Sequence, residues 1–474
     1  MCQFAAASLC LPAAVGWFYG ETVWRDYVTT AGVALVAALL LALAGRRLPG
    51  STGQLTRREG FLAVLLSWSI MILFGAIPFY VSGSIPSLAS AVFESTSGFT
   101  TTGATILTDI EALPRAHLFQ RGLAHWIGGM GIIVLSVAIL PELAIGGMQL
   151  FSAESSGISM DKVSPRVVST ARRLWQVYLA MTAVLVSLLM LGGLDWYDAV
   201  THSFSTLATG GFSPHNASIA AFDSLYVEIV ITIFMLAAAM NFALHYRVFV
   251  RRQWWAVFRS AEVGMFLGIF AGFALAIAVA LTLSGDYPDF GGALRASMFQ
   301  TASIITTTGY GTADFDRWPD FTRYLLVLLM FMGGCAGSTA GGVKVIRLLV
   351  VFKHATVELR KLLYPTLVHP VTIGRRAVSQ GTIQAILGFF LLYIITTVVA
   401  TMLVLATGVD LVSGVTAVIS AMNSVGPALG VVGPAGNFSS MPDMCKWILS
   451  ACMVVGRLEI YTVFVIFTLA FWKR

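Results

Sequence analysis

The feature that most constrains this chain is a set of continuous apolar runs, at residues 62–80, 175–191, 261–283, 382–407 and 447–472. Each reaches the ~18 residues that a helix needs to cross a bilayer, and none alternates with the two-residue period of a barrel strand. With 57% hydrophobic and 11% charged residues, the chain falls far from the soluble norm of roughly 25% charged. It reads as an all-α integral membrane protein.

The net charge of +6 does not point to nucleic acid, because the basic residues sort by loop. The connections 46–58, 162–173, 247–259 and 344–376, with Lys473 and Arg474, hold 21 of the 29 lysines and arginines. The intervening loops carry acids such as Asp109, Asp195, Asp286 and Asp314. By the positive-inside rule the basic connections and the C-terminus are expected in the cytoplasm, and an even number of membrane helices puts the N-terminus there too. The five cysteines lack C-x-x-C spacing, so neither a disulfide framework nor a zinc site is indicated. The first 19 residues lack a basic n-region and are read as a first spanning helix rather than a cleaved leader.

Four short segments share one layout: apolar helix, brief amphipathic helix, a turn of small polar residues and glycine, then a second apolar helix. The turns are SGFTTTGAT (97–105), FSTLATGGFS (204–213), IITTTGYGT (304–312) and MNSVGPALG (422–430). Aligned on Gly103, Gly210, Gly309 and Gly426, they lie 107, 99 and 117 residues apart. Each repeat reads M1, pore helix, loop, M2. M1 is expected at about 61–80, 175–193, 261–283 and 382–407, and M2 at about 123–140, 224–244, 323–350 and 447–472. The half-length helices between them, roughly 87–98, 197–207, 293–305 and 412–422, are too short to span and are expected to be re-entrant. Two helices precede the repeats, giving ten membrane helices. The expected division is 1–58 (two N-terminal helices), 59–145, 146–245, 246–350 (three repeats, the last with a broken M2), 351–380 (cytoplasmic linker) and 381–474 (fourth repeat).

Non-helical backbone at membrane depth survives only where it lines water or is buried in protein. Four such loops meeting on a pseudo-fourfold axis would enclose a pore, in which loop carbonyls replace the hydration shell of a cation and pore-helix C-termini add negative potential. The candidate ion-binding residues are Thr101, Thr102, Gly103, Ala208, Thr209, Gly210, Thr307, Thr308, Gly309, Ser424, Val425 and Gly426. Glycine suits the positive φ that lets successive carbonyls face one way, and the β-branched residues before it (Thr102, Thr209, Thr308, Val425) are stiff. TTTGYG at 306–311 is close to the TVGYG filter of potassium channels. The competing reading makes these turns helix C-caps and packing sites.

The stretch GGCAGSTAGGVK (333–344) interrupts the third M2, with Gly333, Gly334, Gly337, Gly341 and Gly342. It reads as a gate beneath the filter, or alternatively as close glycine-mediated helix packing. Arg457, taken as lying within one helix over 447–472, is 15 residues from Trp472 and so about 22 Å from that end. It is expected to tether the glycine loop through carbonyls and to form a positive barrier. Pairing with Glu459 is the alternative, weakened because two residues along a helix point apart. Glu94 is open to two readings, a concentrator of cations at the mouth or a helix cap. His125, His202 and His215 share no ligand spacing and read as polar helix-end residues. No nucleophile with its base is visible at membrane depth, so an enzyme is not expected.

The segments HWIGGMGIIVLSVAILP (125–141), GGMQLFSAE (146–154), GGFSPHNASI (210–219), GGCAGSTAGGVKVIR (333–347) and GRLEIYTV (456–463) resemble the TrkH family of bacterial potassium uptake proteins. That family belongs to a superfamily with the Ktr and plant HKT transporters, and the two helices before the first repeat favour Trk over Ktr. The resemblance implies potassium uptake across the inner membrane by a homodimer, each subunit with its own pore, and a cytoplasmic ring of TrkA-type nucleotide-binding subunits controlling the gate. It also implies that residues 333–342 and Arg457 form the gate, and that glycine at all four filter positions favours potassium. A symporter coupling potassium to protons or sodium is the alternative, ranked lower because no acid sits inside the filter loops. The N-terminus departs from the family in lacking some residues of the first helix.

Overall fold

The computed structural model describes residues 1–46, 56–138, 165–366, 369–374 and 376–473. Segment 146–154 lies outside the described residues, as do parts of the basic connections 46–58, 162–173 and 344–376. Two helices, α1 (Cys2–Phe18) and α2 (Trp24–Arg46), pack together ahead of the repeats.

The first repeat follows as α3 (Arg57–Val81), α4 (Leu88–Phe99) and α5 (Arg115–Ala138). The second is α6 (Pro165–Leu191), α7 (Trp196–Leu207) and the pair α8 (Leu225–Ala238) and α9 (Phe242–Phe249). The third is α10 (Ala261–Ser284), α11 (Phe290–Ile305), α12 (Asp320–Met332) and α13 (Val345–Leu363). The fourth is α14 (Gln380–Leu405), α15 (Leu411–Asn423), α16 (Asp443–Arg457) and α17 (Ile460–Phe464). The chain is an all-α membrane fold with one minor exception, a hairpin of two-residue strands pairing Thr372 with Ala377. Helix α13 runs through the expected repeat-to-linker boundary at 350.

The four pore helices, α4, α7, α11 and α15, start for one local reason. Ser87, Asp195, Asp289 and Asp410 each stand in extended backbone and accept a hydrogen bond from the amide three residues on, satisfying a donor the helix cannot. Helix α4 is enclosed on nearly every face, since all of its residues after Leu88 are buried. The long M1 helices do the opposite: Leu391, Ile394 and Val398 on α14 are exposed, an apolar surface suited to lipid. Helix α16 of the fourth repeat packs against α4 of the first, closing the circle of repeats.

The break expected in the third repeat's second helix is found between α12 and α13, but the second helices of repeats two and four depart from expectation. Helices α8 and α9 meet at 106°, and α16 and the segment Ile460–Phe467 at 111°. Asn241 turns the first corner by capping α9, its side chain accepting from the Ala243 amide at 2.8 Å. Glu459, at φ 61°, turns the other. The single helix expected over 447–472 is therefore two, Arg457 is the last residue of α16, and the 22 Å depth does not apply. By length and composition five described helices can cross a membrane, or seven if each bent pair is one span. The count of ten is not reached on that criterion: three of the four second helices are interrupted, Cys2–Phe18 has 17 residues, and Arg115–Ala138 does not qualify.

Candidate ion pathway

After each pore helix the chain makes the same hairpin. Thr101, Thr209, Thr307 and Ser424 take left-handed backbone (φ 53°, 54°, 57° and 55°), and two residues later Gly103, Gly211, Gly309 and Gly426 do so again (φ 81°, 80°, 81° and 100°). The amides of Thr102, Gly210, Thr308 and Val425 donate back to the carbonyls of Ser97, Ser205, Ser303 and Ser420 at 2.8–3.0 Å. The equivalent glycine of the second repeat is therefore Gly211, one residue beyond the position aligned from sequence. Gly210 stands where the other loops carry Thr102, Thr308 and Val425, and its φ is not positive.

The physical reason for that glycine is His125. A Cβ at Gly210 would lie 2.4 Å from His125 Nδ1. Serine six residues before each true glycine was the available sequence signal. The glycine follows its N-cap by sixteen residues in repeats one, two and four and by twenty in repeat three, whose pore helix has 16 residues against 12, 12 and 13.

The hairpins meet each other in a closed ring. A Cβ at Gly103 would lie 2.0 Å from the Gly210 carbonyl oxygen, at Gly211 2.0 Å from that of Thr308, at Gly309 2.1 Å from that of Val425, and at Gly426 2.7 Å from that of Thr102. The hairpin amides are turned back to the pore helices, while the carbonyls of residues 101–102, 209–210, 307–308 and 424–425 accept no hydrogen bond among the described residues. These residues are buried, and a buried carbonyl demands a partner. Unpaired carbonyls on four hairpins in mutual contact have the chemistry to take a dehydrated cation.

Such closed-ring geometry accompanies whole-length likeness to known proteins. A family profile described as "TrkH: Cation transport protein" matches residues 31–473. The chain belongs to the TrkH family. It is 41% identical over 472 residues to the Trk system potassium uptake protein TrkH of Escherichia coli K12, covering 99% of this chain and 96% of that protein. It is 40% identical over 465 residues to the protein of the same name from Halomonas elongata, covering 98% and 95%. Among solved structures, that of the potassium transporter TrkH from Vibrio parahaemolyticus superposes with a TM-score of 0.91 at 37% identity, covering 100% of this chain and 97% of that one.

Behind the ring of this TrkH-family chain lies a scaffold that sequence reasoning did not find. Glu94 neither faces the mouth nor caps a helix: it is 1% exposed and pairs with Arg121 Nε at 2.8 Å. It also accepts from the Ile106 amide at 3.0 Å and from Thr105 Oγ1 at 3.0 Å. Arg121 continues to the Ser213 carbonyl at 3.0 Å and lies 4.0 Å over the Phe212 ring, joining the first hairpin to the second. Tyr310 donates to the His202 carbonyl at 3.1 Å, joining the third hairpin to α7. His125 and His202 are buried within helices rather than at their ends. His215, beyond the second hairpin, contacts Asp198 at 2.9 Å and Glu111 at 3.7 Å, and the Asp198 hydrogen bond raises its pKa above 6.5.

Below the ring, residues 333–344 form a loop between α12 and α13 that is bonded on every side. The Gly341 amide donates to Thr307 Oγ1 at 2.7 Å, directly against the hairpin, and a Cβ there would lie 2.0 Å from the Asn423 carbonyl. Thr339 Oγ1 donates to the Leu207 carbonyl at 3.0 Å, at the end of α7. Asn241 Nδ2 donates to the Ala336 carbonyl at 2.6 Å, and the Ala336 amide to Glu262 Oε1 at 2.7 Å. Gly333, Gly337 and Gly342 have positive φ, and a Cβ at Gly334 would lie 2.8 Å from the Ala239 carbonyl oxygen. The glycines thus both break the helix and permit close packing. Arg457 donates to the Thr339 carbonyl at 2.7 Å and to the Gly128 carbonyl at 3.3 Å. Glu459 pairs instead with Arg347. A cavity of about 40 Å³ lies between this loop and Arg457, with Lys344 also in its wall. Among the described residues no cluster of three His, Cys, Asp or Glu is placed to hold a metal.

Proposed function

We propose that this protein carries potassium across the bacterial inner membrane through a gated pore whose selectivity filter is the ring of four hairpins. The observation that carries the reading is the unpaired carbonyl ring, closed from Gly103 through Gly211 and Gly309 to Gly426. The filter residues are those read from sequence with Gly211 added. The potassium assignment follows the names of its relatives. The inward ring is Thr101, Thr209, Thr307 and Ser424, and the hydroxyls of Thr101 and Ser424 have no partner among the described residues.

The gate is residues 333–342 with Arg457, and the conformation described here is closed. A cavity of about 40 Å³ has room for only a few waters, at about 10–15 Å³ each, which supports the closed reading. Lys344 and Arg457 in its wall repel cations until the loop moves. Supporting a passive pore over a proton-coupled symporter, the buried acid nearest the first hairpin, Glu94, is committed to Arg121. The resemblance supports a homodimer, cytoplasmic termini and regulation by a TrkA-like nucleotide-binding subunit, with the 351–380 linker facing that partner. We also propose the partition into two N-terminal helices and four repeats, with the third repeat running past 350 to the end of α13. Flux of potassium, rubidium and sodium into liposomes at clamped voltage tests the reading. Preference for potassium and rubidium with accumulation at the Nernst limit is expected, whereas absence of preference refutes the filter and accumulation beyond the limit refutes passive conduction.

A further inference from the structure

The connection between α9 and α10, residues 250–260, encloses a second recess that the ion pathway does not use. Its volume is about 520 Å³, and Arg247, Arg252 and Arg259 line it with Asn241 and Glu262. None of the three guanidiniums forms an ion pair among the described residues. Arg247 is engaged only with the neutral Gln253 side chain, at 3.2 Å. Three cations around a hollow, with no ion pair to them among the described residues, call for an anion, and guanidinium geometry matches phosphate oxygens. The one acid in the wall, Glu262, is buried and turned to the Ala336 amide at 2.7 Å.

The rim distinguishes the kind of anion. Trp254 and Trp255, which also line the recess, are 59% and 72% exposed, and Phe249 and Phe258 beside them are 58% and 81% exposed. Aromatic side chains standing out at a basic edge of a membrane protein belong at the headgroup level. A soluble phosphate would use the arginines and leave this apolar rim in water; a lipid uses both. We propose that the recess binds the phosphate of an anionic phospholipid, and that its occupancy biases the glycine loop.

The coupling rests on the gating reading above. Asn241 and Glu262, both in the wall, hold the Ala336 carbonyl and amide respectively. A ligand that orders residues 241–262 acts on that loop residue through two hydrogen bonds, and it shifts the loop by its differential affinity for the two states.

Native mass spectrometry of the purified full chain, titrated with phosphatidylglycerol, tests the site without reference to conduction. Arg252→Gln/Arg259→Gln is expected to bind about 30-fold more weakly, at roughly fivefold per basic residue, while Arg360→Gln/Lys361→Gln, the same charge change elsewhere, binds as wild type. Equal losses in the two double variants overturn the site, and so does unchanged binding in the first. Displacement of the lipid by millimolar inorganic phosphate overturns the lipid assignment in favour of a soluble anion. An unchanged melting profile confirms that the variants fold. Rubidium flux in phosphatidylcholine liposomes with and without phosphatidylglycerol then tests the coupling: wild type should differ between the two, and Arg252→Gln/Arg259→Gln should not. Equal wild-type flux with binding intact overturns the coupling alone. Wild type that binds lipid but carries no rubidium in either membrane overturns the conduction reading instead.

Discussion

The register of the second hairpin makes a sharp prediction, because two adjacent glycines have different reasons to be there. At Gly211 the backbone is left-handed, and an alanine Cβ would stand 2.0 Å from the Thr308 carbonyl oxygen, where ordinary contact begins at 3.4 Å. The neighbouring carbonyl must retreat by about 1.4 Å, the difference between those two distances, which is far beyond the ~0.5 Å tolerance of a pre-organised site. The left-handed conformation alone costs an alanine roughly 1–2 kcal/mol, a factor of about 5–30. Gly211→Ala is therefore expected to lower potassium-over-sodium preference by at least about tenfold. At Gly210 the obstacle is a side chain, the His125 ring at 2.4 Å, and φ is not positive. Gly210→Ala should be harmful alone and substantially rescued by His125→Ala, with a coupling of about 1 kcal/mol or more in a double-mutant cycle on rubidium and sodium uptake. Gly211→Ala should gain nothing from His125→Ala. If Gly210→Ala abolished selectivity irrespective of residue 125, while Gly211→Ala were tolerated, the ring described above would be in the wrong register.

Arg457→Ala removes donors from the Thr339 and Gly128 carbonyls, bonds worth about 1.5–3 kcal/mol each for a charged group. Basal rubidium leak through the unstimulated protein should rise by about tenfold or more, and unchanged leak and regulation would dispose of the tether. Glu94→Gln leaves Arg121 buried without its carboxylate and should cost about 3–5 kcal/mol, whereas Glu94→Gln/Arg121→Met should cost less than that single change; thermal unfolding in detergent reads both. His215 has a pKa raised above 6.5 by Asp198. Its contribution is complete below pH 6.5 and is lost as pH rises through the folded value. Wild-type melting temperature should therefore fall above pH 6.5 more steeply than that of His215→Asn, and parallel curves would remove the contact from the account.

How far the sequence carries the structure depends on what each feature needs. The M1 helices and the pore helices are local: a long apolar run, or a short one opened by Ser87, Asp195, Asp289 or Asp410, leaves little choice. The four hairpins are nearly local: residue type cannot tell Gly210 from Gly211, whereas the spacing from Ser205 separates them. The bends in the second helices are weaker signals, since Asn241 and Glu459 are single polar residues in apolar runs that composition reads as continuous. Arg121 and Glu94 lie 27 residues apart on different helices, and no periodicity joins them. Only the folded arrangement of repeats reveals that the carboxylate is a brace and not a cation collector.

On the proposed reading, the same arrangement explains why a cation pathway would carry arginine and lysine in its wall. Above the loop stand the unpaired hairpin carbonyls and the hydroxyls of Thr101, Thr307 and Ser424. Below them Lys344 and Arg457 face the small cavity. Glu459, the acid that could neutralise Arg457 locally, is taken by Arg347. With Lys344, Arg347 and Arg457 against the single acid Glu459, the wall keeps a net positive charge, which raises the electrostatic barrier there without weakening the oxygens above. Because Arg457 is held by the Thr339 carbonyl and Lys344 by that of Ala340, the charges are fixed to the loop itself. A movement that widens the passage must also carry these cations or release them, so steric and electrostatic closure act as one switch.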